Sequence, residues 1–147
     1  NISTKGGVPK LPIEKAEIKF EGVEGDFNRF RTEKINSIGT RAVTLFSLEQ
    51  IEKLKSEGHA IDVGTTGENI TIEGVDWPTL EVGTRMMIGE AMIELSEPTA
   101  PCSKIGKSFI DGAFSRIDHE LELGWSRWSA SVIEEGQVEV GSQVILL

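Results

Sequence analysis

The chain has 147 residues, the size of one compact domain, and its 38% hydrophobic and 27% charged residues argue against disorder. A net charge of −9 repels phosphate backbones and excludes general nucleic-acid binding. No stretch approaches the ~20 apolar residues of a membrane-spanning helix, and a single cysteine excludes both an internal disulfide and a cysteine-rich zinc site.

A lone thiol fits a reducing compartment, so a cytoplasmic location is expected. Residues 1–7 lack the apolar core of a signal peptide. The absence of tyrosine removes phenol chemistry as a source of general acid. The overall negative charge leaves room for a small anionic ligand, because a few cations gathered in one cleft outweigh the global field locally.

In chain order, residues 1–12 read as irregular. The first strand is expected at 16–20, where Ala16, Ile18 and Phe20 alternate with Glu17 and Lys19. Residues 21–40 are punctuated by Gly22 and Gly25, and a second strand follows at 41–46. The clearest helix covers 48–57. Ser47 is its N-cap, Gln50 completes a capping box, Leu48, Ile51 and Leu54 share a face, and Gly58 ends it. Short strands are expected at 69–72, 85–88, 91–95, 129–133, 137–140 and 143–147. Gly89-Glu90 reads as a two-residue hairpin turn, and Glu134-Glu135-Gly136 as another tight connection. Residues 98–124 read as irregular, with a second, shorter helix expected within 108–121. Many short strands and one good helix predict a single, mainly β domain over 1–147, with one or two helices and a mostly antiparallel, barrel-like sheet.

Cys102 is the first candidate for chemistry. It follows a strand in Glu97-Pro98-Thr99-Ala100-Pro101-Cys102-Ser103-Lys104-Ile105, where two prolines stiffen the approach and place the thiol on a turn. Lys104 could stabilise a thiolate, the form that attacks electrophiles and binds soft metals. The alternative, a buried cysteine acting as a small hydrophobe, stands about even with it.

Gly64-Thr65-Thr66-Gly67-Glu68-Asn69-Ile70 is a loop able to aim backbone N–H groups at an anion, although an ordinary strand-entry loop is the simpler reading. Gly22-Val23-Glu24-Gly25-Asp26 is followed by Arg29, Arg31 and Arg41, guanidinium groups suited to phosphate; a solvated charged loop is the plain alternative. Trp125 and Trp128 flank Arg127 as either a stacking wall beside an anion site or ordinary packing. His59 and His119 both read as surface residues. They lack metal-ligand spacing, and neither a nucleophile elbow nor a phosphate-binding loop is present.

Taken in order, these clusters resemble a MOSC domain, the family named for the C-terminal domain of molybdenum cofactor sulfurases. The match rests on Gly22-Val23-Glu24-Gly25-Asp26, Arg41-Ala42-Val43, Gly67-Glu68-Asn69-Ile70, Val82-Gly83-Thr84-Arg85 with Ile88-Gly89, and Pro101-Cys102-Ser103-Lys104-Ile105. It runs from about Val8 to Val144 and is similar to the small stand-alone bacterial members. The resemblance implies a β-barrel-like fold with an essential cysteine. Cys102 would be the catalytic residue and a metal ligand to a molybdenum cofactor (molybdopterin). Gly67, Glu68 and Asn69 would lie near that cofactor, with Asp26 and Arg41 in the same cleft. Lys10, Arg29, Arg41 and Lys104 would meet its phosphate. Many relatives carry Arg-His after the aspartate; this chain has Phe27-Asn28.

The function so implied is reduction of N-hydroxylated or related small compounds, with electrons from a separate donor protein. Two alternatives remain. One is a sulfur carrier that takes a persulfide on Cys102 from a sulfur donor; the other is an accessory module that binds the cofactor without turnover. A thiol hydrolase, with His59 or His119 as base, is a distant further reading.

Overall fold

The computed structural model describes residues 1–27 and 39–147. Strands β1 (Lys15–Lys19), β2 (Gly22–Val23), β3 (Val43–Ser47), β4 (Ile70–Ile72) and β5 (Arg85–Ile88) are followed by the long β6 (Ala91–Thr99) and β7 (Arg127–Glu134), then β8 (Gly136–Glu139) and β9 (Val144–Leu146). One α-helix, α1 (Leu48–Ser56), is present among the described residues. The strands form a six-stranded sheet in the order β4-β3-β7-β6-β5-β9 and a three-stranded sheet in the order β2-β1-β8. All pairings are antiparallel except β3 with β4. The fold is therefore mainly β, and its curled large sheet forms a half-barrel.

Period-two alternation accounts for most of this. In β6, Ala91, Ile93 and Leu95 are buried while Met92, Glu94 and Ser96 are half-buried. Ile93 and Leu95 share one core cluster with Leu45, Phe46 and Ala130. Register shifts between Met92 and Ile93 and between Leu95 and Glu97 bend β6 against β7, which helps curl the sheet.

The chain passes from the large to the small sheet at Glu134-Glu135-Gly136. Glu134 still pairs with Met92, whereas Gly136 already pairs with Ile18. A Cβ at Gly136 would lie 2.5 Å from the Glu90 carbonyl carbon, so only glycine lets this corner cross the Gly89-Glu90 turn.

The helix starts as its sequence requires. The Ser47 hydroxyl accepts from the Gln50 N–H at 3.2 Å, Ile51 and Leu54 are fully buried, and Gly58 takes a positive φ of 99° after the last turn. Half of the expected capping box is absent. The Gln50 amide instead donates to the Gly124 carbonyl at 2.5 Å, tying α1 to the segment before β7.

The second helix expected within 108–121 does not form. The connection from β6 to β7 is a run of short 3₁₀ turns, Ser103–Ser108, Ile110–Gly112 and Phe114–Ile117. Asp111 at φ 54° and Gly112 at φ 70° break any continuous helical path. Strand β6 also runs four residues beyond the expected end at Leu95, to Thr99, because Glu97, Pro98 and Thr99 continue the ladder with Ser129, Trp128 and Arg127.

Leu45 is fully buried at the centre of β3, between β4 and β7. Leu45→Ala is expected to lower the unfolding free energy by about 2–5 kcal/mol, measured by urea denaturation. A loss below about 1 kcal/mol would place this strand outside the core.

Candidate functional site

Cys102 lies three residues beyond the end of β6 with extended backbone (φ −142°, ψ 172°), and its side chain is exposed. Its carbonyl accepts from the Ile105 N–H at 3.1 Å, which starts the turn that carries Lys104. The thiol opens onto a cleft of about 180 Å³ whose wall includes Lys10, Thr66, Gly67, Lys104 and Arg127. The cleft is smaller than the ~300 Å³ at which whole-ligand pockets begin, so it takes a small molecule or the reactive end of a larger one.

The 64–69 loop forms one side. Glu68 is completely buried, and its carboxylate is satisfied from within its own loop. One oxygen accepts from the Gly64 N–H at 2.5 Å and the other from the Thr66 hydroxyl at 2.7 Å. The acid therefore ties the loop shut and presents no oxygen to a ligand. Asn69 is a cross-link: its side-chain carbonyl accepts from the Thr44 N–H at 3.1 Å, and its amide donates to Asp26 at 3.0 Å.

Asp26 is buried and also accepts from the Ser3 N–H at 2.8 Å and from the Lys10 ammonium, with which it forms an ion pair. Lys10 lines the cleft, while Asp26 and Asn69 stand behind it and hold it. Gly64 is conformationally demanded: φ is 81°, a Cβ would fall 2.1 Å from the Lys10 carbonyl oxygen, and the Gly64 carbonyl accepts from the Lys10 N–H at 2.9 Å.

Four of the residues singled out in the sequence, Lys10, Gly67, Cys102 and Lys104, thus share the cleft. Asp26, Glu68 and Asn69 form the buried polar frame behind it. Arg41 pairs with Glu97 and is not among the residues that line this cleft. Arg29, with Arg31 and Asn28, lies outside the described residues.

Neither histidine lines the cleft. Contrary to the surface position expected for it, the His59 side chain is only 8% exposed: it packs edge-on against Phe109 and its Nδ1 accepts from the Ile110 N–H at 3.0 Å. His119 is half-buried and packs against Trp128. A thiol hydrolase with either as its base has no geometric support. Among the described residues no three His, Cys, Asp or Glu side chains gather as metal ligands.

The residue that sequence reasoning left out of its candidate set is Arg127. It opens β7 and points away from Trp128, its neighbour on the opposite face, into the cleft wall. The two flanking tryptophans do not stack on it. Trp125 carries the Arg116 guanidinium at 3.9 Å from its ring centre, and Trp128 is in the core. Arg127 is 7% exposed and donates to the carbonyls of Thr66 at 2.6 Å and Ala100 at 3.3 Å. Burial pushes its guanidinium below the ordinary arginine range, opposed by attraction from Glu68 and then from Cys102. The signal in the sequence was its place between Trp125 and Trp128, read as either a wall beside an anion site or ordinary packing.

Residues 17–145 match the MOSC domain. The chain is 27% identical over 146 residues to the uncharacterized protein YflK of Bacillus subtilis, covering 96% of this chain and 63% of YflK. Among solved structures it is similar to YiiM of Geobacillus stearothermophilus (TM-score 0.75, 22% identity, 96% of this chain and 65% of that one). YiiM of Escherichia coli gives a TM-score of 0.69 at 21% identity, covering 96% and 66%. YuaD of B. subtilis is nearer in length, with 92% and 86% covered, a TM-score of 0.64 and 17% identity. The chain thus spans less than two-thirds of YflK and of both YiiM proteins.

Gly64→Ala combines a clash with backbone and a strained φ. It is expected to destabilise the chain by more than about 1 kcal/mol and to speed Cys102 alkylation by freeing the loop packed beside it. Unchanged stability in chemical denaturation would contradict the role given to this loop.

Proposed function

Since this chain belongs to the MOSC domain family, generally associated with molybdenum cofactor binding, we propose that it holds that cofactor with the Cys102 sulfur as its protein ligand to the metal. The observation that carries this reading is the exposure of the one thiol at the mouth of a cleft walled by Lys10, Lys104 and Arg127. Lys104 and Arg127, with Lys10 paired to Asp26 behind the wall and no carboxylate among the described residues that line it, favour an anionic group in a chain of net charge −9. The donor set fits: a soft thiolate suits molybdenum, and the remaining metal ligands would come with the cofactor itself.

When bound, the cofactor would supply two-electron redox chemistry and oxygen-atom exchange. The chain's part is binding and orientation. Cys102 would anchor the metal. Lys10, steadied by Asp26, and Lys104 would meet anionic oxygens. The substrate class favoured is small N-hydroxylated compounds, with electrons from a separate donor protein and a cytoplasmic setting.

A second reading has its own support. An exposed thiol that belongs to no cluster of three or more ligand-type side chains among the described residues is also what a sulfur carrier needs, holding a persulfide for transfer to an acceptor.

Protein made in a cofactor-competent host is expected to carry molybdenum by elemental analysis. Cys102→Ser should lose it by more than about 10-fold, the lower bound seen even for indirect metal partners, while folding as wild type by circular dichroism. Wild type without molybdenum but with one extra sulfur on Cys102 by mass spectrometry would replace this reading with sulfur transfer.

A further inference from the structure

Arg127 presents an unresolved charge. Its guanidinium is buried, yet no carboxylate among the described residues lies within ion-pair distance. Glu68, whose attraction on it is the strongest, has both oxygens committed to Gly64 and Thr66. The two carbonyls that Arg127 reaches are neutral, and its buried Nε has no hydrogen-bond partner at all. Burying a cation this way is costly unless something compensates it.

The same guanidinium forms part of the wall of the Cys102 cleft, and Ala100, to which it donates, lies two residues before that cysteine. The compensating group is therefore to be sought in the cleft. Guanidinium is the side chain best shaped for an oxyanion, and here it is held rigid by carbonyls on both sides of the cleft, Thr66 on one loop and Ala100 on the other.

We propose that Arg127 makes the Cys102 cleft an oxyanion-selective site, so that the molecules that reach Cys102 are small and carry a carboxylate or a sulfur or phosphorus oxyanion beside their reacting atom. This does not rest on the molybdenum reading, because it holds equally for the bare thiol. Lys104, which also lines the cleft, adds positive charge to the approach.

The single cysteine makes a clean probe. Full-length protein from a host that lacks the cofactor would be alkylated with iodoacetate and, separately, with iodoacetamide. In each case the sulfur attacks the methylene carbon, a C–S bond forms and iodide leaves. The reagents differ only in the charge beside the reacting carbon, so the ratio of their rates cancels thiolate fraction and general access. The iodoacetate-to-iodoacetamide ratio of wild type should exceed that of a small free thiol by about fivefold, the factor that Coulombic attraction across water at ion-pair distance supplies.

Sulfate should bring that ratio down. Arg127→Met should return it to the free-thiol value, and Arg127→Lys should keep much of it. A merely structural strap would move both rates together and leave the ratio alone. Molybdenum content of Arg127→Met from a cofactor-competent host then identifies the oxyanion: retained content assigns the site to the incoming molecule, and lost content to an oxyanion of the cofactor. A wild-type ratio at or below the free-thiol value overturns the proposal even if Arg127→Met does not fold, as does a folded Arg127→Met with an unchanged ratio.

Discussion

The arrangement around Cys102 depends on how a few buried charges are satisfied. Glu68 has no contact with water and takes its hydrogen bonds from Gly64 and Thr66, in its own loop. Thr66 in turn gives its carbonyl to Arg127, whose other arm reaches Ala100 in the loop that carries the thiol. Asn69, the next residue along, fixes the loop to β3 and to Asp26, and Asp26 fixes Lys10. Each buried polar group is costly alone and tolerable when bonded, so the loops have little freedom to rearrange without leaving one of them unpaired. The outcome is a rigid frame with one exposed reactive atom at its edge.

Much of this frame could be anticipated locally. Alternating side chains marked β1, whose Ile18 is buried, and the Gly89-Glu90 turn signal marked β5 and β6, in which alternate positions are buried. Ser47 and Gly58 marked the ends of α1, because capping is chemistry within a few residues. The two prolines before Cys102 marked a non-helical approach, and the thiol stands there exposed. The long-range pairings were not readable. Whether Glu68 faces a ligand or closes its own loop depends on the path of the 64–67 backbone, and its identity alone is neutral on the matter. Burial of Arg127 requires carbonyls 61 and 27 residues away in sequence. Gln50 left its capping box for the same kind of reason: the Gly124 carbonyl offers a partner that no local pattern reveals. In the 108–121 segment Asp111 and Gly112 adopt left-handed backbone that a continuous helix excludes, which the sequence did not reveal.

The MOSC fold thus places a thiol where a strand ends and a short-turned connection begins, and a glycine-rich loop across from it supplies the opposing wall. Charge is segregated on a small scale. Carboxylates of Asp26 and Glu68 are turned inward and bonded, while ammonium and guanidinium groups line the opening. A chain that repels polyanions at a distance can in this way still draw a small anion to one point. The fold is shared with both YiiM proteins, of whose longer chains this one spans less than two-thirds.

Native-state hydrogen exchange at the Gly64 amide, followed by NMR, tests the rigid frame most directly. That N–H is held by the buried Glu68 carboxylate, and the account predicts exchange as slow as that of core amides in β3, occurring only with global unfolding. Exchange at the rate of an open surface loop, while β3 remains protected, would contradict it.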